Sequence, residues 1–246
     1  MQISDNIMLG PAYGAGTAGN FTGSSPMELG VGPMGRIYLH DVVPLAANTT
    51  GLAAAQAVGA AGNLTLTAGT GVTTTTLADG TTALVLDTPR CVDVVSSNAG
   101  DTTQTVTIYG YDQYGQAMSQ VVTLNGTTRV PTLKAFKQVY RIAISAATAG
   151  NISAGTTDTL GLPFRVTDLG YVTNCMFNQT AVTINSTNIK VAVQTSPATT
   201  ATGDVRGTVA VSSSDGTKRL VMGLMIPAIG CGPNATRVGA YGVPQA

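Results

Sequence analysis

Apolar and polar residues alternate along most of the chain, in short runs separated by Gly, Pro, Asn and Asp. In residues 105–110 (TVTIYG), Val106 and Ile108 fall on one side and Thr or Tyr on the other. A period of two is typical of a strand with one buried face. Such runs recur roughly every 8–12 residues, a spacing found in β-sandwiches, jelly rolls and barrels. The pattern therefore predicts an all-β protein with a β-sandwich or jelly-roll-like domain and little helix.

The turn residues divide these runs into strands. Asp79-Gly80 is the strongest short hairpin signal, and residues 111–116 (YDQYGQ) predict a hairpin with a loop of four to six residues. Residues 52–58 (LAAAQAV) predict a turn or two of helix, because Ala and Gln favour that state. The predicted strands are residues 36–43, 63–67, 72–76, 82–86, 91–96, 105–110, 118–124, 140–145, 160–166, 171–177, 181–185, 189–195, 206–211 and 218–226.

The ends of the chain differ from its middle. Residues 1–40 are rich in Gly and Pro and lack sustained periodicity, so we predict an extended N-terminal arm. The arm either crosses a neighbouring subunit or wraps its own domain, and fully extended it would reach about 130 Å. Residues 41–230 form the predicted β-rich domain, as one unit or as two β-subdomains meeting near residue 168, and residues 231–246 form a tail. The candidate partner-binding residues of the arm are Met8, Leu9, Tyr13, Phe21, Met27 and Leu29.

The composition is poor in charge. Charged residues make up 10% of the chain, and twelve basic residues balance twelve acidic ones. A nucleic-acid-binding domain usually has a basic stripe, which this sequence lacks. No run approaches the eighteen apolar residues of a membrane span, and the N-terminus lacks the pattern of a secretory signal, so we expect folding in a cytoplasm. A surface with few charges suits a protein that stays in contact with other proteins.

Candidate catalytic and metal-binding residues are sparse. His40 is the only histidine, and Asp41 beside it would point to the opposite face of a strand, so it is badly placed to orient the ring. Glu28 is the only glutamate. A calcium site could use acidic residues with loop carbonyls, but no ligand spacing supports one; the candidates are Asp101, Asp112 and Asp158. We therefore expect no enzymatic activity, no cofactor and no metal.

Three cysteines, at positions 91, 175 and 231, are odd in number and widely separated. They lack the C-x-x-C spacing of zinc and redox sites, so we interpret them as small buried apolar residues.

Several sequence pieces occur in an order that resembles a family. They are residues 98–101 (NAGD), 110–116 (GYDQYGQ), 134–137 (KAFK) and 160–163 (LGLP), with residues 53–67 upstream. Together they resemble a segment of virion structural proteins of tailed bacteriophages, particularly the auxiliary capsid proteins that decorate or cement the shell. The resemblance covers roughly residues 50 to 168, with a weaker echo in residues 203–227.

The resemblance implies a β-rich particle component that does no chemistry of its own. Its partners would be the major capsid protein and further copies of itself, as a dimer or trimer, and its location the surface of a capsid assembled in a bacterial cytoplasm. Tyr111 and Tyr114 at the predicted hairpin tip are further candidate contacts, because Tyr is common at interfaces. The alternative function is a head-fibre or tail-associated host-recognition module that binds carbohydrate through exposed tyrosines.

Overall fold

The computed structural model describes residues 36–193, 199 and 201–226, and within them the predicted all-β fold is confirmed. The only helical element described is a 3-10 turn at Leu169–Tyr171. Fourteen strands are described: β1 (Arg36–Val42), β2 (Ala53–Gln56), β3 (Gly62–Asn63), β4 (Val72–Thr76), β5 (Thr82–Ser96), β6 (Thr105–Tyr111), β7 (Ala117–Thr123), β8 (Val130–Ile144), β9 (Ile152–Gly161), β10 (Val172–Phe177), β11 (Thr180–Ala181), β12 (Ile189–Val191), β13 (Gly207–Ala210) and β14 (Leu220–Ile226).

The strands form two antiparallel sheets. The small sheet has the order β1-β14-β10-β11. The large sheet has the order β12-β13-β9-β5-β8-β6-β7, and the short strands β2, β3 and β4 pair with β9, β8 and β5. The sheets curl as a half-barrel, an arrangement consistent with an all-β sandwich. β1 and β7 are therefore the outermost strands at one end of each sheet.

Two hydrophobic cores follow from the alternating pattern. In β6 every second residue is buried, so Val106 and Ile108 point into the first core, which the large sheet surrounds. The second core is built from residues of both sheets and of the connection after β9. Its members include Leu160, Leu162, Phe164, Val172, Phe177, Ile189, Val209, Leu220, Met222 and Leu224.

Close backbone packing explains one glycine in β6. A Cβ at Gly110 would lie 1.9 Å from the carbonyl oxygen of Gln138 on β8, far inside contact distance. The register of β6 against β8 shifts between Tyr109 and Gly110 at this point. Only glycine lets the two backbones approach this closely, and the hairpin beyond it is aimed by the resulting irregularity.

The prediction of helix in residues 52–58 is wrong. Ala53–Gln56 form β2, which pairs with β9, so tertiary pairing overrides the local preference of Ala for helix. Residues 82–86 and 91–96, predicted as two strands, are parts of the single fifteen-residue strand β5. The register of β5 against β8 shifts between Val85 and Arg90, which accommodates Pro89 inside the strand.

Candidate functional site

The outer side of the small sheet carries an apolar patch, bordered by Asp41, which lies opposite Val221, and by Asn174, which lies opposite Gly223. Ile37 and Leu39 are 70% and 61% exposed, whereas His40, Val42 and Tyr38, which is itself 42% exposed, point to the opposite side, toward the second core. The register pairs Ile37 with Met225, and Met176 with Val221, which places these four side chains on one side of the sheet with Leu39. Met176, Val221 and Met225 are half-buried. We call this set, Ile37, Leu39, Met176, Val221 and Met225, the apolar face.

β1 borders the apolar face and is the strand that residues 1–35 lead into. Its pairing with β14 runs from Arg36 to Val42 without a bulge. Among the described residues, no strand pairs with its other edge. Near its end, Asp41 is held by the exposed Arg219 guanidinium, whose hydrogen bonds and charge lower the pKa of the carboxyl.

His40 lies on the core side of β1, opposite Met222. Its Nε2 atom is buried and has no hydrogen-bond partner among the described residues. Burial lowers the pKa of the imidazole, an effect that the charge of Asp41 only partly opposes. The ring is therefore held in its neutral form, packed against the second core.

The tip of the β6–β7 hairpin is fastened to the chain between β9 and β13. Asp112 forms a buried salt bridge of 2.5 Å with Arg206, and its other oxygen accepts the backbone N–H groups of Tyr114 and Gln116. The Tyr114 hydroxyl donates to the carbonyl of Pro163, and the Arg206 guanidinium lies 5.0 Å from the Tyr114 ring. Tyr114 is still 49% exposed, so a contact with a partner remains a prediction.

Tyr111 belongs to a row of aromatic rings on the outside of the large sheet. Its ring centroid lies 5.5 Å from that of Tyr140, which is 6.3 Å from that of Tyr109. The Arg141 guanidinium stacks over Tyr109 at 3.8 Å. The three rings are half-buried, partly by one another, and offer a flat aromatic surface next to a positive charge.

Side chains bridge the outer strand β7 to the first half of β8. The buried Gln120 side chain accepts the backbone N–H groups of Leu133 and Lys134 at 2.9 and 2.8 Å. The Lys134 ammonium donates in return to the carbonyl of Ser119 on β7. Burial lowers the pKa of Lys134 to about 8, while the negative charge of Asp204 acts in the opposite direction. These bonds occupy two backbone N–H groups of β8 and one carbonyl of β7 where the two strands approach.

The acidic residues considered for calcium lie in separate places. Asp101 accepts hydrogen bonds from Ala149 and Gly150, and Asp158 accepts them from Ser213 and Ser214. Asp112 is paired with Arg206, as described above. In the described part of the chain, no group of three or more His, Cys, Asp and Glu side chains is placed to hold a metal ion.

The cysteine prediction is confirmed where it can be compared with the structure. Cys91 and Cys175 are buried and unpaired, and burial raises the pKa of both thiols. Cys231 lies outside the described residues, as do the predicted arm contacts Met8, Leu9, Tyr13, Phe21, Met27 and Leu29.

The sequence reasoning did not single out Ile37 and Leu39 as surface residues. A signal was present, because residues 36–43 (RIYLHDVV) place apolar residues on both sides of a strand. A strand with two apolar sides is usually buried on both. In β1 only one side is buried by the described residues, which leaves the other apolar side in solvent.

In the described part of the chain, no helix has the length and hydropathy needed to cross a membrane. Comparison of the chain with protein-family models, with curated proteins and with solved structures gives no significant match.

Proposed function

We propose that this chain is a structural protein of a tailed-phage particle that decorates or cements the capsid shell. The observation that carries the proposal is the apolar face, because exposed contiguous apolar surface usually marks a protein interaction site. The low content of charged residues and the resemblance of residues 50 to 168 to auxiliary capsid proteins support the same function.

The proposed mechanism is mechanical. The β-body sits across junctions between major capsid protein subunits, and residues 1–40 reach over neighbours with the apolar side chains of the arm. Each copy needs only modest affinity, because many copies on one lattice bind with high avidity. In this proposal the protein resides on the capsid surface, and its contacts are with protein, without nucleic acid or membrane.

The experiment is co-sedimentation with empty shells of the major capsid protein encoded alongside this chain. Wild type should bind at high occupancy, and Ile37→Thr with Leu39→Thr should reduce the occupancy at least about tenfold. Leu133→Thr is the matched control, because Leu133 is 54% exposed but lies on β8, away from the apolar face. Wild type that fails to bind shells would contradict the proposal.

The arm is examined in the same assay with full-length protein. Phe21→Ser with Leu29→Ser should lower shell occupancy without changing the melting temperature, because apolar contacts to the shell are lost while both cores remain. Undiminished occupancy would remove the arm from the mechanism.

A carbohydrate-binding host-recognition module is the second candidate. The row formed by Tyr109, Tyr111 and Tyr140 favours it, because flat aromatic surfaces stack on sugar rings. A glycan array with wild type and Tyr140→Ala separates the two functions. Specific sugar binding that Tyr140→Ala abolishes supports host recognition, whereas binding to shells without sugar binding supports decoration.

A further inference from the structure

The middle of β1 lacks the features that normally protect an edge strand, because its charged residues, Arg36 and Asp41, stand toward its two ends. Natural proteins protect such edges with charges, proline, bulges or very short strands. β1 is seven residues long and regular, and residues 37–40 contain no carboxylate, ammonium or guanidinium group. Among the described strands, only β14 pairs with β1, on one of its two sides.

We propose that two copies of this chain pair antiparallel through their β1 strands, which joins their small sheets into one eight-stranded sheet across a two-fold axis. This inference deepens the proposed function and rests on it for its biological setting, because a decoration layer places copies side by side. It selects a dimer over a trimer, since pairing of a strand with itself is closed by a two-fold axis.

The alternation of side chains between the two sides of the sheet restricts the register of the pairing. Residues opposite each other on antiparallel strands point to the same side of the sheet. The two-fold axis therefore passes between the two copies of one β1 residue, which lie opposite each other. With the axis at Tyr38, Ile37 of each copy lies opposite Leu39 of the other. With the axis at Leu39, Ile37 would instead lie opposite the carboxylate of Asp41. The first register removes more apolar surface from water and is therefore favoured.

The same register explains why a second copy fits better than an unrelated strand. It joins Ile37 and Leu39 of both copies into one apolar patch, and on the core side it brings the two Tyr38 rings together. Tyr38 already packs edge-on against Phe164, with ring centroids 5.5 Å apart, so a second tyrosine would extend an existing aromatic contact.

The position of the chain outside the described residues supports this occupant. Residues 1–35 lead directly into Arg36. In the favoured register, Arg36 of one copy lies opposite His40 of the other. Each arm would then begin beside the small sheet of the second copy. β1 pairing would thus favour a course of the arm across the neighbour, one of the two alternatives that the sequence pattern left open.

The test uses charge complementation in the full-length chain. One variant has Ile37→Lys and Leu39→Lys, and the other has Ile37→Glu and Leu39→Glu. With the axis at Tyr38, residue 37 of one copy faces residue 39 of the other, and with the axis at Leu39 the two residues 39 face each other. Each variant alone therefore places like charges opposite each other. A mixture of the two variants places unlike charges there. We expect wild type to sediment as a dimer when its concentration reaches about 1 mM. Neighbours tethered on one lattice meet at an effective concentration of this order.

Each variant alone should dissociate at least about a hundredfold more readily than wild type, and the mixture should recover the dimer. Leu133→Lys is the matched control and should remain a dimer, and circular dichroism verifies that every variant is folded. Because both substituted residues are exposed in the described protomer, substitution should leave its fold unchanged.

Three outcomes would overturn the inference: a monomeric wild type at about 1 mM, variants that dimerise as wild type does, or a mixture that fails to pair. In the last case, photo-cross-linking from position 39 identifies residues 1–35 as the competing occupant. Trypsin aids the assignment, because no Lys or Arg precedes Arg36 and the arm is released as one peptide. This sedimentation test contains no shells, so its result is independent of the co-sedimentation assay. A monomer that binds shells in that assay contradicts only this inference, and a dimer that does not bind them contradicts only the proposed function.

Discussion

The two seven-residue strands at the ends of the two sheets differ in how their edges are protected. Gln120 of β7 accepts two backbone N–H groups of β8, and Lys134 of β8 donates to β7, so side chains cover this end of the large sheet. β1 has no such cover among the described residues and exposes Ile37 and Leu39. The comparison teaches that non-local side-chain hydrogen bonds tie β7 to β8, whereas β1, where the described residues show no such bonds, is the edge at which we propose a partner strand.

The largest effect is expected from breaking the fastening of the β6–β7 hairpin. Asp112→Ala leaves the buried Arg206 guanidinium without its carboxylate, which should lower the free energy of unfolding by about 3–5 kcal/mol. The measurement is chemical denaturation at pH 7. Asp41→Ala is the matched control on β1, because Asp41 pairs with an Arg219 side chain that is largely exposed. A loss from Asp41→Ala as large as that from Asp112→Ala would refute the contrast between the two ends.

An intermediate effect is expected from opening the side-chain bridge between β7 and β8. Gln120→Ala removes the acceptor for Leu133 and Lys134, so we expect the free energy of unfolding to fall by about 2–3 kcal/mol. The variant should also self-associate through the uncovered N–H groups of β8, measured by light scattering. Gln104→Ala is the control, because its amide also makes two hydrogen bonds, donating to Ala147 and accepting from Thr103, but both are exposed. If Gln120→Ala stays monodisperse while β1 pairing is blocked, these bonds are not what protects this end of the large sheet.

The smallest effect is a pH dependence from His40 on β1. The folded state lowers the pKa of His40 below its ordinary value of 6.5, so below that pH the unfolded chain binds more protons than the folded one. The contribution of neutral His40 to stability is present above pH 6.5 and is lost as the pH falls toward the folded pKa. The free energy of unfolding of His40→Leu should therefore fall less than that of wild type between pH 7 and pH 5, measured by urea denaturation. Parallel profiles for the two proteins would show that His40 does not titrate differently on folding.

Local signals predicted the short hairpins well. Asp79-Gly80 forms a turn in which Gly80 has a φ of 85°, a conformation that glycine adopts without strain. The hairpin of β6 and β7 has the predicted period and a loop within the predicted length. In both cases the partner strand follows directly in sequence, so the information needed for pairing is local.

Long-range pairing was beyond the sequence pattern. β8 begins ten residues before the predicted run at residues 140–145, because its first half pairs with β5 through contacts that no local signal encodes. The surroundings of Tyr114 were beyond the pattern for the same reason. Tyr114 was predicted as a contact from its place at the hairpin tip and stays a prediction, but its hydroxyl bond to Pro163 joins residues 49 positions apart.

The sequence by itself determined that the chain is all-β and which residues of each strand share a side. It could not determine which apolar sides are covered. Val106 and Ile108 alternate in β6 as Ile37 and Leu39 do in β1, yet the first pair is fully buried and the second is exposed. The physical reason is that alternation is a property of one strand, whereas burial depends on what distant parts of the chain, or another molecule, place against it.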